Sequence, residues 1–133
     1  MNATIKEWLD KAEKDFATAC RESAAADEPN YDAVCFHAQQ CVEKLMKACL
    51  IYLGVIPPKT HDLAFLHKLL VPFSPSVSWP VEELRFLTRA AVAFRYPGEA
   101  AELEDAEQAL AIASRLRLRF LAELEEKSKL EED

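Results

Sequence analysis

Three arginines and a tyrosine, Arg85, Arg89, Arg95 and Tyr96, fall between Leu84 and Gly98, a stretch with no acidic residue. Guanidinium groups grip phosphate through paired N–H donors, and a phenol donates a hydrogen bond or accepts a transferred group. The chemistry open to this segment is therefore recognition of a phosphate or of an acidic partner. Pro97 disfavours helical geometry at the residue before it and Gly98 readily takes positive φ, so a helix is predicted to stop near Arg95 and leave Tyr96 on a corner. At that position Arg95 also complements the negative end of the helix dipole, which by itself makes it a cap.

Other chemistry-bearing side chains are more dispersed. His37, Gln40 and Lys44 lie three and four residues apart, so their tips meet along one edge of a helix. His61 stands with Thr60 and Asp62 just ahead of an apolar run, at a helix mouth. The three histidines are too scattered for a metal signature, and neither a metal nor a cofactor is expected. Cysteines 20, 35, 41 and 49 show no C-x-x-C spacing and have apolar helical neighbours, which reads as reduced core residues.

The elements that must position these groups are helices. The chain has 133 residues, half of them apolar, and only two glycines. That fits one domain of all-α class with a single core. The net charge of −7 excludes broad adhesion to nucleic acid, since phosphate contacts supply most of that affinity. No apolar run reaches the roughly 18 residues a bilayer span needs, and Met1 to Asp15 is charged and amphipathic. A cytoplasmic protein with no membrane contact is expected.

Periodicity predicts helix 1 from Thr4 to about Ala25, burying Ile5, Trp8, Leu9, Ala12, Phe16, Ala19 and Cys20. Helix 2 runs from Tyr31 to Gly54 with Val34, Ala38, Cys41, Val42, Leu45, Cys49 and Tyr52 inward. Its reverse carries Phe36, Gln40, Glu43, Lys47 and Leu50, an exposed strip that invites a partner helix. Helix 3 follows a cap among Thr60, His61 and Asp62, with Leu63, Leu66, Leu69 and Leu70. Pro80 opens helix 4, which turns Leu84, Leu87, Thr88, Ala91 and Val92 inward. Helix 5 begins near Glu102 and buries Leu103, Ala106, Leu110, Ala113, Leu116, Phe120 and Leu124, while Arg115, Arg117 and Arg119 are read as solvated. The bundle is assigned to residues 1–126, and 127–133 to a fraying acidic tail.

The segments Phe36-His37-Ala38-Gln39-Gln40-Cys41-Val42-Glu43-Lys44, Pro57-Pro58-Lys59-Thr60-His61-Asp62-Leu63 and Arg95-Tyr96-Pro97 agree in order and spacing with one family. In them the chain resembles the HEPN domain family, specifically its small single-domain prokaryotic members. The resemblance covers nearly the whole chain. It implies an up-and-down bundle of four to five helices, a homodimer, and a gene neighbour encoding a minimal nucleotidyltransferase. Active HEPN ribonucleases carry an arginine, four to six residues, then a histidine. One version adds a tyrosine two positions on, to which the partner enzyme attaches adenylate. These positions fall on Arg89, Phe94 and Tyr96.

The histidine is thus replaced by Phe94, which moves no proton near neutral pH. The expected function is a non-catalytic module that binds a nucleotide or a nucleotidyltransferase partner, with RNA disfavoured. Arg95 would hold a phosphate, Lys59 would add charge, and His61, Lys44, Gln40 and Arg89 would lie nearby, with Tyr96 orienting or accepting a nucleotidyl group. The alternatives are a toxin-type ribonuclease with a displaced histidine, His61 or His37, and a dimeric adaptor with no small ligand.

Overall fold

Helix α2, Tyr31–Tyr52, is the axis around which the other helices pack. A computed structural model describes residues 1–132. Among them the chain forms α1 (Ala3–Ser23), α2, α3 (Leu63–Leu70), a 3-10 turn (Pro75–Val77), α4 (Val81–Ala93) and α5 (Leu103–Glu132), with no strand. The architecture is an all-α bundle, and among the described residues no helix is long and apolar enough to cross a membrane.

Local chemistry sets the helix ends. Asn2, Asn30 and Asp62 turn side-chain oxygens onto the first free N–H groups of α1, α2 and α3, offsetting donors that have no intrahelical partner. Asn30 also donates its own N–H to Glu22, which ties the end of α1 to the start of α2. Gly54, at φ +80°, closes α2: its N–H bonds the Ile51 carbonyl, and the Val55 N–H reaches back to Leu50. Gly98, at φ +92°, turns the chain after α4, which ends at Ala93 with Arg95 N–H on the Val92 carbonyl.

The structure corrects several expectations, each for a non-local reason. The reverse face of α2 is not a free strip. Leu50 is fully buried, and Glu43 and Lys47 are nearly so, because α1, α3, α4 and α5 all pack against this helix. The two charges neutralise each other at 3.0 Å, and Lys47 lies over the Trp8 ring. Val92, expected inward, is exposed at the rim of α4, and Leu103 is exposed on α5 while Ala109 and Ile112 take core positions.

Arg115 and Arg119 are exposed, as read, and Arg117 is half-buried, but all three also make contacts. Arg117 forks onto Glu13 of α1 at 2.8–3.2 Å, Arg115 pairs with Glu83 of α4, and Arg119 donates to the Ser76 carbonyl. Both Arg115 and Arg119 also lie over Trp79. Residues 127–132, assigned to the tail, lie within α5, and the Tyr52 hydroxyl donates to the Lys127 carbonyl at 2.8 Å. Asp133, the last residue of the expected tail, lies outside the described residues.

Candidate functional site

Between α2 and α4 lies a small cleft of about 120 Å³, lined by Phe36, Gln39, Gln40, His61, Thr88, Ala91, Val92 and Arg95. α2 supplies one wall, α4 the other, and the loop ahead of α3 closes one end.

The loop is held in three ways. Gln39 donates its side-chain amide to the His61 carbonyl at 3.1 Å. Thr88 on α4 accepts the Leu63 N–H at 3.2 Å and donates its own hydrogen to Leu84, joining α4 to the first turn of α3. Thr60 accepts the Asp62 N–H, and Asp62 in turn caps α3. The bonds to the N–H groups of Asp62, Leu63 and Ala64 satisfy donors at the start of α3, and the Gln39 bond to the His61 carbonyl fixes the residue beside them.

The imidazole of His61 is anchored by Glu43. Nδ1 lies 2.8 Å from Glu43 Oε1, with the carboxylate 5 % exposed and the imidazole 77 % exposed. Gln39 Nε2 donates to the same oxygen at 3.1 Å, and Lys47 Nζ to the other at 3.0 Å. Burial works to raise the Glu43 carboxyl; hydrogen bonds from Gln39, His61 and Lys47 override it and hold the group below the usual carboxylate range. An ionised carboxylate only accepts, so Nδ1 carries a proton and the neutral ring keeps its lone pair on Nε2, the nitrogen turned away from Glu43.

Arg95 is exposed just beyond α4, its guanidinium carbon 5.3 Å from the centroid of the Phe36 ring. A cation–π contact of this kind holds the guanidinium near the ring, and its N–H groups remain able to donate to an oxyanion. Glu43 belongs to His61 and Lys47, and Arg95 is pinned to α2 by the aromatic ring instead.

Of the residues singled out in the sequence, the cleft gathers Gln40, His61 and Arg95. Lys44 turns instead toward α1, where it and His37 share the carboxylate of Asp15. Arg89 lines a separate hollow with Phe86, Ala90, Ala93 and Phe94, and Phe94 itself packs against the core. Lys59 is exposed on the loop outside the cleft lining, and Tyr96 stands 63 % exposed past the end of α4. A larger open groove of about 520 Å³ runs along α3 and the start of α4, but its one histidine, His67, is occupied by accepting the Trp79 N–H on Nε2.

Sequence reasoning missed Gln39 and the partnership of Glu43 with His61. A signal was present: Gln39, Gln40 and Glu43 interrupt a long helix rich in apolar residues, and buried polar groups there demand partners.

Comparison with known proteins follows the same lines. The family model described as HEPN domain matches residues 5–124. TT1696 from Thermus thermophilus has a similar crystal structure, with a TM-score of 0.71 at 21% identity, over 90% of this chain and 97% of that one. ST0689, an archaeal HEPN homologue, gives 0.65 at 24% identity, over 89% and 95%. These two likenesses show the fold. No curated protein sequence gives a significant match.

Proposed function

The chain belongs to the HEPN domain family, and on that premise we propose that it is a non-catalytic binding module whose α2–α4 cleft holds the phosphate end of a nucleotide, free or carried by a nucleotidyltransferase partner. The observation that carries this reading is Arg95 stacked on Phe36 at the mouth of a cleft that also contains His61 and Gln40. A cationic fork on a protein of net charge −7 offers a local anion site, while the overall negative charge repels extended polyanions. Pockets that enclose drug-sized ligands run to roughly 300–1,000 Å³. This cleft, at about 120 Å³, suits a phosphate group, with base and sugar lying outside it. Tyr96, exposed beyond the end of α4, would meet that outer portion as a hydrogen-bonding partner or an acceptor. A homodimer is part of the proposal, with the exposed rim of α4 around Val92 as its surface.

Calorimetric titration with inorganic phosphate and with ADP tests the reading. Wild-type protein is expected to bind both, and Arg95→Ala to lose binding while keeping its helical circular dichroism and its unfolding midpoint. Undiminished binding by Arg95→Ala overturns the assignment.

One observation favours a second reading. Glu43 orients His61 in the way a carboxylate orients a general base, so RNA cleavage with a displaced histidine is the alternative. Growth arrest on expression, relieved by His61→Gln, would support it over the binding module.

A further inference from the structure

We propose that His61 Nε2 is a phosphoryl acceptor, so that the cleft carries a phosphohistidine as well as binding phosphate. This rests on the reading of Arg95 as the phosphate anchor. The geometry has three parts. The Nδ1 hydrogen is committed to a buried carboxylate at 2.8 Å, which leaves the Nε2 lone pair outward. The ring is accessible, at 77 % exposed, so a donor can approach it. Arg95 lines the same cleft, held by Phe36, and can take the charge that builds on the phosphoryl oxygens during transfer. The cleft volume, about 120 Å³, selects a phosphoryl group over an enclosed nucleotidyl group.

The donor class is a phosphoric anhydride. The Nε2 lone pair attacks phosphorus, the N–P bond forms, and the donor's bridging P–O bond breaks, its electron pair leaving on the departing phosphate chain. No proton has to leave Nε2, because the proton is on Nδ1. The phosphorylated ring is cationic, and the ionised Glu43 beside Nδ1 neutralises it. Reversal returns the phosphoryl group to an acceptor oxygen, with the ring again neutral.

The other two histidines are internal controls. His37 has the same Nδ1–carboxylate contact, to Asp15 Oδ1 at 2.8 Å, but its carboxylate is shared with Lys44 and it lies outside the lining of the cleft that holds Arg95. His67 is buried, and its Nε2 accepts the Trp79 N–H at 3.0 Å, which leaves no lone pair to attack.

The experiment uses potassium phosphoramidate on the whole protein as a small stand-in for the anhydride donor, its P–N bond breaking with release of ammonia as the N–P bond to Nε2 forms; intact mass and peptide mapping are the readouts. The adduct is expected on His61, to be acid-labile and base-stable, and to form about tenfold faster than on His37, a smaller factor than the roughly hundredfold or more of an enclosed oxyanion site. Arg95→Gln is expected to remove most of that advantage and Glu43→Gln to reduce it; His37→Gln leaves the His61 rate unchanged. Because Glu43→Gln disturbs a buried pair, Arg95→Gln at the exposed position decides if the former fails to fold. Labelling of His61 no faster than His37, or a His61 rate indifferent to Arg95→Gln, overturns the proposal. Calorimetry with inorganic phosphate separates the two readings: binding without labelling removes the acceptor and leaves the binding module, while Arg95-independent labelling without binding removes both.

Discussion

Arg95 lies 5.3 Å from the ring centroid of Phe36, so the cation at the end of α4 is aimed by an aromatic side chain of α2, fifty-nine positions earlier in the chain. An exposed arginine samples many rotamers, and ordering it costs entropy on binding. The stack removes part of that cost in advance, which makes Phe36 a positioning residue for the anion site.

Phe36→Ala should therefore weaken phosphate binding without abolishing it. A cation–π contact at an exposed site is worth about 0.5–1 kcal/mol, which corresponds to a loss of roughly two- to fivefold in affinity. Phe36→Tyr should keep near wild-type affinity. Calorimetric titration of both variants checks this, and equal affinities for wild type and Phe36→Ala would show the stack to be incidental.

Stability should depend on pH through His67. Burial holds its imidazole below the ordinary value of 6.5, opposed by a backbone hydrogen bond with Val77, and Nε2 accepts the Trp79 N–H only while unprotonated. The unfolded chain binds the proton more readily, so stability is full above the unfolded value and declines as pH falls through the window between the unfolded and folded values. Urea midpoints at about pH 8 and about pH 5 should differ in wild type and differ less in His67→Gln. Glu43, held low by its hydrogen bonds, loses its contribution only under more acid conditions, below its ordinary 4.5, so the two effects separate.

The cysteines should divide by burial. Cys35, Cys41 and Cys49 are buried, and burial above all, with nearby carboxylates adding, pushes each thiol up to about 12. Cys20 on α1 is half-buried. Iodoacetamide at about pH 8 should modify Cys20 alone in the native protein and all four cysteines in guanidinium, since the thiolate is the reactive form. Intact mass distinguishes one adduct from four. Modification of Cys41 or Cys49 at the rate of Cys20 would mean that the core opens readily.

Much of the fold was legible in the sequence because the information is local. Asp62 is one of the residues read as the cap of α3, Gly54 and Gly98 sit where positive φ is needed, and the apolar spacing of α1 and α3 places Ile5, Ala12, Leu63 and Leu66 in the core. Family membership was legible too, from three short segments in order. Arg95 and His61 stood out by residue type and by their places at a helix end and a helix mouth.

The site itself was decided by tertiary structure. A single periodicity assigns one buried face to α2, yet four helices pack around it, so Glu43, Lys47 and Leu50 went inside against the local pattern. Glu43 then needed hydrogen-bond donors, and Gln39, Lys47 and the distant His61 supplied them. The same packing sent Lys44 to Asp15 on α1, where a carboxylate was available, and left Arg95 to stack on Phe36. Residue types and helix boundaries determined which groups could do chemistry. Which of them meet was set by the partners that burial made compulsory, a choice that exists only once the helices are packed.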